Sequence, residues 1–102
     1  MFEIETYTNY TARELDMGRL NELNTLMNLC AHLEIPIKKI YYTMNGFIVT
    51  FENSEGDAAL HDGTYGHERC YWETYKFPWD EDDVSVHTTE ELLLLLNEYY
   101  NN

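Results

Sequence analysis

Asn45-Gly46 stands between two segments of alternating apolar and polar residues, and no other feature of the sequence limits the fold so tightly. Both residues tolerate positive φ, which a type I′ turn requires at its two central positions, so Lys38 to Glu52 is predicted to fold back as a β-hairpin. That turn sets the partners. Met44 is expected opposite Phe47, Tyr42 opposite Val49 and Ile40 opposite Phe51 on one apolar face, with Tyr41, Thr43, Ile48 and Thr50 on the other. The first face needs a helix to cover it.

The helix stands just before the hairpin. Leu20, Leu23, Leu26, Met27, Cys30 and Leu33 recur at helical spacing, Asn21, Asn24 and Asn28 take the opposite side, and Pro36 ends the segment. Two starts compete: the capping-box pattern Thr11-Ala12-Arg13-Glu14, and Asp16 capping a helix that begins at Met17. Ahead of it, Phe2 to Tyr7 alternates like a short strand. Residues 53 to 67 are rich in glycine, asparagine, serine and aspartate and read as a turn-rich loop with a short strand at Ala58 to Leu60. An aromatic strand follows from about Arg69 to Phe77, and Phe77-Pro78-Trp79-Asp80-Glu81-Asp82-Asp83 leaves the sheet, since proline cannot donate to a ladder and adjacent carboxylates want water. Thr88-Thr89-Glu90-Glu91 is a second capping box and opens a C-terminal helix. The expected fold is α+β: an antiparallel sheet with a central Asn-Gly hairpin, one long helix packed on it and a C-terminal helix, in a single domain over residues 1–102.

Five consecutive leucines, Leu92 to Leu96, wrap around that last helix at steps of about 100°. One face cannot bury them all, so the helix is either sandwiched within its own domain or meets another subunit, and a homodimer is one expectation.

Charge narrows the function. The chain has 19 acidic and 6 basic residues, net −13. Residues 1 to 51 hold six acids and four bases; residues 52 to 102 hold thirteen acids and two bases, so nearly all the imbalance lies in one half. Such a field repels phosphate backbones and anionic membranes and attracts basic proteins. With 44% hydrophobic and 15% aromatic residues the chain nonetheless has the composition of a folded protein. Two cysteines, Cys30 and Cys70, are too few for a disulfide framework. The first residues show neither a basic leader nor an apolar core of a signal peptide, and the leucine run is too short to span a bilayer, so a cytoplasmic protein is expected.

Metal and catalytic readings are weak. His61, His67 and Cys70 are ligand types without the close paired spacing of a structural zinc site, so no metal is expected there. Asp80, Asp82 and Glu91 fall at positions 1, 3 and 12 of a calcium-loop frame, but Val84 and Ser85 occupy positions that need an oxygen ligand and a glycine. A run of solvated carboxylates repeats one environment, whereas acid/base chemistry needs two different ones. The chain is therefore expected to bind, without catalysis and without a cofactor. A plain solubilising face is the competing explanation of the acids.

Carboxylates held on a rigid scaffold imitate the phosphate array of a nucleic acid and so fit the groove of a basic nucleic-acid-binding protein. The residues expected to contact such a partner are Glu52, Glu55, Asp57, Asp62, Glu68, Tyr71, Trp72, Glu73, Tyr75, Trp79, Asp80, Glu81, Asp82 and Asp83, the aromatics serving as anchors among the charges. In small size, acidity and aromatic-rich acidic segments the chain resembles the phage and prophage inhibitors of host nucleases, the anti-CRISPR and anti-restriction DNA mimics. The stretch from Gly63-Thr64-Tyr65-Gly66-His67-Glu68 through Trp72-Glu73-Thr74 and Phe77-Pro78-Trp79-Asp80 to Val84-Ser85-Val86-His87-Thr88 also looks like that of small phage proteins. The resemblance implies an inhibitor of a CRISPR or restriction nuclease in a bacterial host cell, with no direct nucleic-acid or membrane contact. The alternative is a non-catalytic phage or bacterial assembly subunit that dimerises through its leucine-rich C-terminal helix.

Overall fold

The computed structural model describes residues 3–6, 17–43, 46–61, 70–81 and 83–101. Six strands form one sheet in chain order: β1 (Glu3–Thr6), β2 (Ile37–Thr43), β3 (Gly46–Phe51), β4 (Asp57–His61), β5 (Tyr71–Tyr75) and β6 (Ser85–His87). β2 through β6 are antiparallel throughout, and β1 lies parallel to β2 at one edge, so helix α1 (Met17–His32) is the crossover between them. Helix α2 (Thr89–Asn101) follows β6. The α+β class is as the sequence implies. Both candidate caps of α1, Thr11 and Asp16, lie outside the described residues, as do Met44 and Asn45 of the hairpin turn.

β2 and β3 pair antiparallel, with their buried faces as expected and their partners displaced. Tyr42 pairs with Phe47, Ile40 with Val49 and Thr43 with Gly46, so Gly46 belongs to the strand. Each partner has moved by two residues. A two-residue shift leaves every side chain on its own face and burial unchanged, which is why alternation fixes the face but not the register. Near its start β2 carries a bulge: Ile37 pairs with Phe51 and Lys39 with Thr50. The extra residue, Lys38, is exposed, and Ile37 comes onto the face of Phe51.

One face of the sheet makes the core. Ile40, Tyr42, Phe47, Val49, Phe51, Ala58, Leu60 and Trp72 are buried there under Leu23, Leu26 and Cys30 of α1 and Leu92, Leu93 and Leu96 of α2. Burial pushes the Cys30 thiol up to about 12, which keeps it protonated and inert. The leucine run thus divides: three residues are core, Leu95 is half-buried and Leu94 is 72% exposed.

The two helices run side by side in the same direction. Near their starts Thr89 Oγ1 donates to Glu22 Oε2 at 2.5 Å; near their ends Asn101 Nδ2 donates to the Leu33 carbonyl at 2.8 Å. Trp72 Nε1 donates to the same Thr89 hydroxyl at 2.8 Å, so one chain of hydrogen bonds ties the sheet to both helices. As expected, Thr88 caps α2: its hydroxyl accepts from the Glu91 N–H at 3.1 Å, and its own N–H donates to Glu91 Oε1 at 2.8 Å. α1 ends in a Schellman motif, with Ile35 N–H donating to the Cys30 carbonyl at 2.8 Å and Glu34 N–H to that of Ala31 at 3.3 Å. Glu34 sits at φ 60° in the position glycine favours.

Candidate functional site

The antiparallel order places the β3–β4 turn and the β5–β6 connection at one end of the sheet, and three hydrogen bonds bring the helix ends to the same pole. Glu52 N–H donates to the Pro36 carbonyl at 2.9 Å, Tyr100 Oη donates to the Glu52 carbonyl at 2.6 Å, and Asn101 reaches Leu33 as described. Glu34, Glu52, Glu55, Glu81, Asp83 and Glu98 are exposed there, with Lys38 and Lys76 as the exposed cations among the described residues. Both helices direct their carbonyl ends at this pole, adding to its negative potential. Burial beside Phe51 and the nearby Tyr99 push the Tyr100 hydroxyl up to about 12, so it stays a donor.

An open groove of about 540 Å³ lies between the two connections, lined by Asn53, Ser54, Glu55, Lys76, Phe77, Pro78 and Tyr99. Its floor is aromatic. The Phe77 ring stacks on Trp79 with centroids 4.4 Å apart and meets Tyr99 edge-on at 6.1 Å. Gly56 permits this packing, since a Cβ there would stand 2.6 Å from the Phe77 ring. A second cleft of about 290 Å³, on the other side of Lys76, is lined by Tyr75, Glu81, Asp83 and Val84.

What holds the β5–β6 connection is a buried carboxylate. Asp80 is 5% exposed; its Oδ1 accepts from Thr74 Oγ1 at 2.8 Å and from the Ser85 hydroxyl, and its Oδ2 accepts from the Phe77 N–H at 3.2 Å. Trp79 Nε1 donates to Thr74 Oγ1 at 3.0 Å, and Ser85 Oγ and His87 Nε2 lie 2.8 Å apart. A hydroxyl has one proton. With those of Thr74 and Ser85 committed to Asp80, the remaining bond requires His87 to carry its proton on Nε2 and donate to Ser85. Serine, histidine and aspartate are present, but in an order unlike that of a nucleophile triad, where histidine stands between the other two and takes the serine proton. Ser85 donates its hydrogen bond directly to the carboxylate, so the arrangement braces the turn.

On the sheet face away from the helices lies a second cluster. Tyr75 Oη donates to Glu73 Oε1, and burial together with this bond pushes the Tyr75 hydroxyl up to about 12. His61 stacks on Tyr71 at 5.1 Å and places Nε2 3.9 Å from Glu73 Oε2. Asp57, paired with Tyr75 across the strands, has its carboxyl raised by burial, an effect that Lys76 opposes.

The expected contact residues therefore separate. Glu52, Glu55, Glu81 and Asp83 are exposed at the pole, with Trp79 half-buried beside them, whereas Asp57, Tyr71, Glu73 and Tyr75 are half-buried on the open sheet face. Trp72 and Asp80 are corrected: both are core residues whose polar atoms are spent internally, because Trp72 points under α2 and Asp80 anchors the turn, leaving neither free to touch a partner. Asp62, Glu68, Asp82 and His67 lie outside the described residues. Among the described residues no group of three or more metal-ligating side chains converges, and no helix is long and apolar enough to cross a membrane. Sequence reasoning missed Lys76, Asn53, Ser54 and Tyr99, which line the groove, and Glu34 and Glu98, which join the pole. The Tyr99-Tyr100 pair beside a C-terminal glutamate was the available signal, an aromatic surplus at the end of an already apolar helix. Compared with protein families, with curated proteins and with solved structures, the chain matches none of them.

Proposed function

We propose that the chain is an acidic binding protein that docks its carboxylate-rich pole onto a basic nucleic-acid-binding protein of a bacterial host, occupying the surface that phosphates otherwise fill. A CRISPR or restriction nuclease is the partner class, and inhibition follows from competition for its groove. The supporting observation is that Glu81 and Asp83 ride on a connection pinned from beneath by Asp80, while Glu52 and Glu55 ride on a turn held by Tyr100 and Pro36. Backbone held in place before binding needs little further ordering on association, which favours a recognition surface over a merely solubilising one. The aromatic groove beside them accepts the alkyl stem of an arginine or lysine while its head meets Glu55.

The test is capture from bacterial lysate on the immobilised chain at about 50 mM and about 500 mM salt, with duplex DNA as competitor. A nucleic-acid-binding protein released both by salt and by DNA is the expected result. Captured proteins indifferent to DNA, or no basic protein at all, would overturn the reading.

A further inference from the structure

Tyr99 is 38% exposed, yet its ring is held in one orientation. It stands at 86° to the Phe77 ring and 89° to the Trp79 ring, with centroids 6.1 and 6.3 Å away. Near-equal distances to two rings that are themselves stacked 4.4 Å apart put Tyr99 beside the pair and over neither member of it. Tyr100 packs against it edge-to-face at 4.8 Å. The open groove at the acidic pole therefore has one aromatic wall that is buttressed from behind and wet in front.

The same groove holds the Glu55 carboxylate and the Asn53 amide. Both ride on the β3–β4 turn, where Ser54 Oγ accepts from the Gly56 N–H at 2.9 Å and Tyr100 Oη donates to the Glu52 carbonyl, so their backbone is set before anything binds. Lys76 lines the groove as well. It also lines the second cleft with Glu81 and Asp83, which places this one cation between carboxylates on either side.

We infer that the groove is an arginine site, taking one arginine side chain from the phosphate-binding surface of the partner and discriminating against lysine; the inference rests on the acidic pole being the docking face. Charge selects a cation, because six exposed carboxylates at this pole face two exposed lysines among the described residues. Shape selects arginine. A guanidinium is planar and weakly hydrated, stacks on aromatic rings, and carries five N–H donors that need several acceptors close together. Tyr99 supplies the ring, and Glu55 and Asn53 supply carboxylate and carbonyl oxygens. An ammonium is compact and strongly hydrated, and gains little from such a wall. The groove, at about 540 Å³, is roomy and open, so a free arginine binds weakly and the site works as one contact of a larger interface. Lys76 is the resident cation that competes for Glu55, and entry of an arginine leaves its ammonium to Glu81 and Asp83 on its other side.

NMR titration of the full chain tests the inference, using end-blocked Gly-Arg-Gly, Gly-Lys-Gly and Gly-citrulline-Gly peptides carried to about 20 mM at low salt. The arginine peptide is expected to shift the Tyr99 ring resonances and to bind about 5-fold or more tightly than the lysine peptide, with citrulline, of the same shape but uncharged, weaker than both. Tyr99→Leu should leave arginine and lysine equal. Glu55→Gln, at an exposed position that does not endanger folding, should weaken arginine binding about 5-fold, and Lys76→Gln should tighten it about 3-fold. Circular dichroism melts control for folding of each variant. No binding of the arginine peptide, equal binding of arginine and lysine to wild type, a preference that survives Tyr99→Leu, or weaker arginine binding in Lys76→Gln overturns the arginine site while leaving the acidic pole as a docking face. Arginine selectivity in a chain that captures no basic protein from lysate overturns the docking face and leaves the arginine site.

Discussion

Thr74 Oγ1 donates to Asp80 Oδ1 at 2.8 Å, and both residues are buried, so a charged side chain sits inside the fold with its oxygens filled by the connection that it shapes. Removing it leaves the Thr74 and Ser85 hydroxyls and the Phe77 N–H without their acceptor. Asp80→Ala is expected to lower unfolding free energy by about 2–4 kcal/mol in urea titrations. Asp80→Asn keeps one carbonyl oxygen but turns an amide toward the Phe77 N–H, and should cost about 1–2 kcal/mol.

The pole itself is expected to behave in the opposite way. Glu55→Gln, Glu81→Gln and Asp83→Asn together remove exposed like charges that no described salt bridge offsets, so the melting temperature should hold or rise slightly. Capture of a basic partner should weaken and its salt dependence become shallower, read from binding isotherms at several salt concentrations. Asp80 must stay in this experiment, because its loss would mix unfolding with lost contact.

Glu34 occupies the left-handed end of α1 at φ 60°, where a side chain clashes with its own backbone. Glu34→Gly relieves that clash and is expected to raise stability by about 0.5–1 kcal/mol, seen as a higher urea midpoint with an unchanged slope.

Gly56→Ala should do the reverse. The new methyl meets the Phe77 ring at 2.6 Å, and that ring is boxed by Phe51, Trp79 and Tyr99. The expected loss is about 1–3 kcal/mol, measured by thermal melts, with Trp79 fluorescence reporting displacement of the stacked pair.

Acidification should loosen the start of α2. Hydrogen bonds to the backbone and side chain of Thr88 hold the Glu91 carboxyl below its ordinary value. A carboxyl depressed on folding contributes stability above its unfolded pKa and loses that contribution as pH falls through the folded one. The gap in urea midpoint between wild type and Glu91→Gln is therefore expected at neutral pH and should close in acid. Thr88→Ala removes the cap at both pH values and should cost about 1 kcal/mol at neutral pH.

Local signals carried most of the fold. The faces of β2 and β3 follow from alternation between Ile40 and Phe51, and the cap of α2 from Thr88 and Glu91. Long-range choices were not legible. Nothing in Glu3–Thr6 shows that it pairs in parallel with β2, because parallel and antiparallel partners demand the same short alternating segment. The strand Ser85–His87 was overlooked because the acids before it read as a solvated run. That reading holds for Glu81 and Asp83 and fails for Asp80, since the burial of one carboxylate among several depends on Thr74 and Ser85 arriving from two strands.

The parallel course of the two helices gives the molecule an orientation as well as a charge. With both carbonyl ends and Glu34, Glu52, Glu55, Glu81, Asp83 and Glu98 at one pole, and both amide ends at the other, offset only by Glu90 and Glu91 of the first turn of α2, the two helices add their dipoles in one direction. A positively charged body approaching from any side therefore exerts a torque on it, turning the acidic end forward before contact. Most random encounters between two proteins fail because the wrong patches meet. If the partner is the basic protein proposed above, alignment during the approach gives a larger share of collisions the productive attitude.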